Sequence, residues 1–189
     1  MTIRFNAPVA IGLTVSALAA LLINVSTGGY ANQYLFSTYA DGFSLLSFFR
    51  LFSHVLGHSG WDHFLANFTL ILVLGPLLEE KYGSGRLLVM IMVTAMVTAL
   101  LNNIFFSTGL LGASGIVFMM IVLSSFSNYR NGELPVTFLV VVCLFLGREI
   151  IASFQPDTVS QFAHIAGGVA GSVFGLSGLL GGRRGTPET

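Results

Sequence analysis

Charge is what this sequence has least of. Of its 189 residues only 8% are Asp, Glu, Lys or Arg, against about 25% in a soluble domain, while 54% are hydrophobic. A surface so poor in charge cannot face water over most of its area. Eight basic and eight acidic residues cancel to a formal net charge of zero. The basic ones stand singly apart from Arg183 and Arg184, so the stripe that phosphate binding needs is missing, and nucleic acid is excluded as a partner. There is one cysteine, Cys143, inside the apolar run FLVVVCLFLG. No disulfide can form within the chain, and Cys143 reads as a small core or lipid-facing residue. HExxH is absent, and no cofactor is expected.

Long apolar runs are what the sequence has instead. Crossing the hydrocarbon core takes about 20 mainly apolar residues. Candidate spans fall at about 7–25, 62–79, 86–106, 113–127, 135–153 and 160–180. The first is longer than the 7–15 apolar residues typical of a signal-peptide core, so it reads as a retained helix. The expected fold is an all-α membrane protein, one polytopic domain over residues 1–189 with six transmembrane helices. With the N-terminus inside, Arg4, Lys81, Arg86, Arg130, Arg183 and Arg184 fall on the cytoplasmic side, and Arg50 and Arg148 on the other. That asymmetry is what the positive-inside rule requires, and it places both termini in the cytoplasm.

Two features break the regular pattern. Residues 28–61 form a long first outer loop rich in aromatics; the apolar residues around Arg50, in LLSFFRLF, predict short structured helices at the interface. The fourth span is short. From the inner loop SNYRNGEL back to Ser114 there are only enough residues for about 20 Å of helix, against a core of about 30 Å. A helix recessed in this way, with irregular backbone above it, needs protein or a water-filled cavity around it. Ser114 is therefore expected below the outer surface and in contact with water.

Ionisable groups at membrane depth are candidates for function. His63 and Asn67, in WDHFLANFTL, are one turn apart on one helix face. His164 heads a stripe with Gly167, Gly171 and Gly175, and small residues at that interval let a second helix approach closely. Gly112, Ala113 and Gly115 around Ser114 are also small. Contact between the fourth and sixth helices would bring Ser114 and His164 into hydrogen-bond range. A serine needs a base that close to become a nucleophile, and histidine titrates near neutrality. Asn67, His63 and the backbone N–H of Ser114 would supply donors for an oxyanion. No Asp or Glu on its own helix orients His164, which makes the pair a dyad.

Each element alone has a plainer reading: Gly-x-Ser-Gly occurs in helix packing, and membrane histidines often serve only as hydrogen-bonded packing groups. His54, His58 and His63 offer a rival reading as a metal site, with His54 and His58 at i, i+4; the missing glutamate base weighs against it. Arg148 and Glu149, in LGREIIASF, read as surface residues.

The ordered set His54-x3-His58-x4-His63-x3-Asn67, then GASG at 112–115, then AHIAGGVAG at 163–171, closely resembles the rhomboid intramembrane serine proteases. The resemblance runs from about Arg50 to Gly175. It implies a compact six-helix bundle of the bacterial or archaeal type in the plasma membrane. Ser114 would be the nucleophile and His164 the base and later acid. His63 and Asn67, with Ser114, would bind the oxyanion. Arg50, Glu79, His58, Gly115, Phe118, Gly167 and Gly171 would give structural support. Phe49 stands where the family's Trp-Arg motif has tryptophan, and Phe118 where the family often has tyrosine. Glu79 matches a glutamate that ties helix ends together near the inner face. The implied activity needs no cofactor: cleavage of a peptide bond in or near a transmembrane segment, with membrane proteins as substrates and the lipid bilayer as surroundings. An inactive relative that binds transmembrane helices is the alternative, followed by a channel or transporter. Neither paired broken helices nor a repeat of spans favours the last.

Overall fold

The run after Ala7 forms α1, Pro8–Ser26, opened by a proline at its first position, where the missing N–H has no intrahelical partner to lose. The computed structural model describes residues 6–126, 136–141, 143–144 and 161–177. After α1 come α2 (Tyr30–Tyr34), α3 (Leu45–Ser53) with a 3-10 turn at His54–Leu56, α4 (Trp61–Tyr82) and α5 (Ser84–Phe105). They are followed by α6 (Ser114–Ser124), α7 (Val136–Val141) and α8 (Gln161–Ser177). The described residues are helical throughout, apart from loops and a single antiparallel bridge between Thr38 and Leu110.

Among the described residues three helices, α1, α4 and α5, are long and apolar enough to cross a membrane. α1 turns only small residues and one leucine inward (Ala10, Ala17, Ala20 and Leu21) and leaves Val15, Leu22 and Val25 exposed. Ala10 packs so closely on α4 that a Cβ at Gly75 would lie 2.5 Å from its own Cβ. Between α4 and α5 the chain turns on Gly83 alone, whose φ of +85° a residue with a side chain rarely adopts. In α5 the hydroxyls of Thr94 and Thr98 bond back to the carbonyls of Met90 (2.8 Å) and Thr94 (2.9 Å), so their burial leaves no polar group unpaired.

α6 is the centre. Every residue from Gly115 to Leu123 except Phe118 is buried. Its 11 residues amount to about 16 Å, shorter than the 13 residues or so expected from sequence, and well short of the hydrocarbon thickness. Among the described residues it packs more extensively on α8 than any other two helices do on each other. The stripe on α8 is the reason. A methyl at Gly167 would collide with the Gly115 carbonyl, and one at Gly171 would lie 2.5 Å from the Met119 carbonyl oxygen.

One end of the bundle is tied by the last turn of α4. Glu79 accepts hydrogen bonds from the N–H groups of Ala10 (2.9 Å) and Val9 (3.2 Å). These are orphan donors of the first turn of α1, where a carboxylate also meets the positive end of the helix dipole. Two residues on, Lys81 Nζ donates to the Phe126 carbonyl at 2.5 Å, just past the C-terminus of α6. The start of α1 and the ends of α4 and α6 therefore share one side.

The first loop is inside out by soluble standards. On α3 the polar Arg50 and Ser53 are buried, while Leu45 is 91% exposed and Phe48 and Phe49 also face outward. Such a face suits lipid, as the sequence predicts. Arg50 staples the loop from within: Nε donates to the Tyr34 carbonyl (2.8 Å), Nη1 pairs with Asp41 (2.6 Å), and the guanidinium lies over the Tyr39 ring. Of the expected fifth span, 135–153, only Val136–Val141, Cys143 and Leu144 are described, and Cys143 is exposed. Residues 178–180 at the end of the sixth, together with Arg4, Arg130, Arg148, Glu149, Arg183 and Arg184, lie outside the described residues.

Candidate active site

Ser114 is the first residue of α6 and half-buried. Its N–H belongs to the group of four at a helix start that have no intrahelical acceptor, and it sits at the positive end of the dipole. The backbone just before it is held from outside. Thr38 and Leu110 exchange N–H···O bonds of 3.0 Å in both directions, and Asn103 Nδ2 donates to Thr38 Oγ1 at 2.9 Å. Gly112 N–H donates to the His54 carbonyl at 2.9 Å. Gly112 has a φ of +116°, and a Cβ there would come within 2.9 Å of His63 Nε2. Only glycine therefore lets the chain pass the His63 ring and still begin α6 at Ser114.

His164, in the first turn of α8, is buried, and the ring of Phe118 stacks on it with centroids 4.5 Å apart and planes 5° from parallel. Phe118 follows Ser114 by one turn of α6 and lies on the same face. The small-residue crossing of α6 on α8 brings these groups to one cavity of about 670 Å³, whose walls include Ser59, His63, Asn67, Ser114, Phe118 and His164. Among its lining residues there is no carboxylate. A second cavity, about 470 Å³ between α1, α3 and α5, has apolar walls except for Ser16 and Ser53 and holds no group suited to acid–base chemistry.

Behind the cavity wall the polar groups form a defined chain. His58 Nδ1 lies 3.1 Å from the Leu56 carbonyl, an acceptor, so Nδ1 carries the proton and Nε2 is left to accept. Asn67 Nδ2 donates to that Nε2 (3.2 Å) and to the His63 carbonyl (3.1 Å). Both amide protons of Asn67 are thereby engaged. For Asn67 to donate to a group in the cavity, as the sequence suggests, it would first have to release the His63 carbonyl. His63 itself is half-buried, with Nδ1 facing Ser59 and Nε2 towards Gly112.

The i, i+4 spacing of His54 and His58 does not make a shared helix face, because the helical turn ends at Leu56 and Gly57 is extended. His54 is buried with Nδ1 on the Arg50 carbonyl (3.2 Å), and the His58 carbonyl accepts from Asn32 Nδ2 (2.8 Å). Burial pushes His54 down to about 4, opposed by the carbonyls of Arg50 and Leu51. Burial also lowers His58 to about 4, opposed by the Leu56 carbonyl and reinforced by nearby His63. Both stay neutral at physiological pH. Among the described residues no cluster of three His, Cys, Asp or Glu side chains could hold a metal ion.

Several contributors had no readable signal in the sequence. Asn32, Thr38, Asp41 and Asn103 act through partners 9 to 72 positions away, and no local pattern marks such pairings. Ser59 offers a faint one, since a serine just ahead of a helix start is a capping candidate.

The rhomboid domain family model matches residues 45–180. The rhomboid protease GlpG of Haemophilus influenzae is 22% identical over 171 residues, covering 88% of this chain and 89% of that protein. GlpG of Serratia proteamaculans is 27% identical over 175 residues, 90% of this chain and 63% of that protein. The RHOMBOID-like protein 1 of Arabidopsis thaliana is 28% identical over 141 residues, 69% of this chain but only 34% of the plant protein.

Proposed function

The chain belongs to the rhomboid family, and on that premise we propose that it is an intramembrane serine endopeptidase working through a Ser114–His164 dyad. One observation carries the reading. Two residues 50 positions apart, a serine at a helix start and a ring-stacked histidine, line the same cavity as His63 and Asn67. In this reading His164 takes the proton of Ser114 as Oγ attacks the scissile carbonyl carbon. The carbonyl π electrons move onto oxygen, and that oxyanion is received by the Ser114 N–H and by His63 Nε2–H. Asn67 joins when it lets go of the His63 carbonyl. Removing one such donor typically lowers turnover by about 10²–10³. The tetrahedral intermediate collapses, the C–N bond breaks, and His164 returns its proton to the leaving amine. Water then hydrolyses the Ser114 ester with His164 again as base. Phe118, flat against His164, keeps the ring in the plane this shuttle requires.

The recessed start of α6 gives water a place to reach the ester below the headgroups. A transmembrane helix engages its carbonyls in hydrogen bonds, so the substrate must unwind near the cut. Segments with a small residue before the bond and helix-weakening residues beyond it fit this demand. The setting proposed is a multi-pass protein of a bacterial or archaeal plasma membrane, with both termini cytoplasmic. The test is incubation of the purified chain in detergent with a panel of single-span substrates, with cut sites mapped by mass spectrometry. A cut inside or beside the span is expected, and cleavage of none of them, or cuts that persist in Ser114→Ala, would overturn the reading.

A further inference from the structure

Ser59 has no part in the chemistry above, yet it holds the far side of an essential ring. Its backbone N–H donates to His63 Nδ1 at 3.5 Å, and its Oγ lies 3.2 Å from the same nitrogen. His63 is the third residue of α4, and Ser59 is two positions ahead of Trp61, where α4 begins. The contact is like one half of a capping box shifted by one residue, with a ring nitrogen in place of the usual carboxylate. The N-cap is Gly60, and a side chain in the first turn reaches back to the amide before it.

A hydroxyl can donate or accept, but an amide N–H only donates. With that N–H aimed at it, Nδ1 presents its lone pair, and the closer hydroxyl then becomes the stronger of its two donors. The neutral ring then carries its proton on Nε2, the nitrogen that faces Gly112 and the backbone leading to Ser114. The opposite tautomer would set N–H against N–H at Ser59 and turn a lone pair towards the developing oxyanion, where it would repel. Nothing else that reaches Nδ1 among the described contacts fixes this choice. The His58 ring, 4.8 Å away between centroids, has its own tautomer set by Leu56 and Asn67.

We infer that Ser59 is a positioning residue that sets the Nε2–H tautomer of His63 and so aims a donor at the oxyanion. The inference rests on the proteolytic reading for its catalytic consequence, but the tautomer is measurable without it. The experiment uses the full chain in detergent micelles, labelled with ¹⁵N-histidine and assigned with His63→Ala. Nitrogen shifts should show His63 protonated on Nε2 in the wild type, with an added Nδ1–H fraction in Ser59→Ala, which loses the hydroxyl donor at 3.2 Å and leaves only the longer amide contact at 3.5 Å. Turnover in Ser59→Ala should fall about two- to tenfold, the range spanned by one neutral hydrogen bond. KM should not change, and Ser59→Thr should restore both signals. A wild-type His63 protonated on Nδ1 would overturn the inference, and so would a Ser59→Ala loss confined to KM or an unchanged ring spectrum. If the wild type cleaves no substrate, the proteolytic reading fails by itself, and the spectrum still decides the tautomer.

Discussion

Gly171→Ala tests the crossing that brings the two halves of the site together. A Cβ at Gly171 would lie 2.5 Å from the Met119 carbonyl oxygen and 3.1 Å from both Met119 Cα and Val122 Cβ, where ordinary contact begins at 3.4 Å. The deficit against the carbonyl is 3.4 − 2.5 = 0.9 Å, and because the obstacle is helix backbone, α6 and α8 must separate to clear it. Overpacking of this kind costs about 1–3 kcal/mol. On the proposed dyad the kinetic cost is larger. Ser114 rides on α6 and His164 on α8, and a displacement near 1 Å between reacting groups can cost about 10²-fold in rate. Gly167→Ala, which drives a methyl into the Gly115 carbonyl one turn from His164, should be worse. Gly175→Ala meets the Phe126 ring, itself buried against Phe138, so it also overpacks. It presses on a side chain and not on helix backbone, about three turns from His164, so its cost should be the mildest of the three. The assay is the initial cleavage rate of one transmembrane substrate for the three variants, beside their melting temperatures. The reasoning predicts the order Gly175, Gly171, Gly167 from mildest to most severe. Wild-type rates in Gly167→Ala and Gly171→Ala, with melting unchanged, would refute the close crossing.

Glu79→Ala removes two charge-assisted bonds to the first turn of α1, so it should destabilise the fold by about 3 kcal/mol, and Glu79→Gln by less, in denaturant unfolding; equal midpoints for all three would contradict the tie. Stability should also fall with acid through His54 and His58. Their folded values, near 4, lie below the unfolded 6.5, so the unfolded chain binds protons first. The stabilisation is complete above pH 6.5, declines as pH drops towards 4, and is worth about 3 kcal/mol for each histidine at 1.36 kcal/mol per unit. Melting of the Ser114→Ala protein across pH 8 to 4 should show the decline, with a shallower slope in His54→Gln; a flat profile would contradict it.

Much of this was legible because membrane physics writes in long apolar runs. Helices α1, α4 and α5 follow their predicted bounds to within about three residues, since hydropathy decides which backbone must pair internally. The α6–α8 crossing was legible in Gly115, Gly167 and Gly171, because only missing side chains permit it. The first loop was not. Its fold depends on Arg50 collecting the Tyr34 and Gln33 carbonyls with Asp41, and on Thr38 pairing with Leu110 across 72 positions, contacts that leave no periodic trace. The Asn67 amide was legible as a polar group at the site. That both its protons are already engaged follows only from the His58 tautomer and the His63 carbonyl, which are matters of geometry.

The central claim is that Ser114 carries an activated hydroxyl and His164 activates it. A fluorophosphonate, whose phosphorus such a serine attacks with loss of fluoride, followed by peptide mass spectrometry, reads this directly. The account predicts a single adduct on Ser114 in the wild type and none in His164→Ala, although the serine is still present there. Equal labelling of Ser114 without His164, or no labelling of the folded wild-type chain, would contradict it.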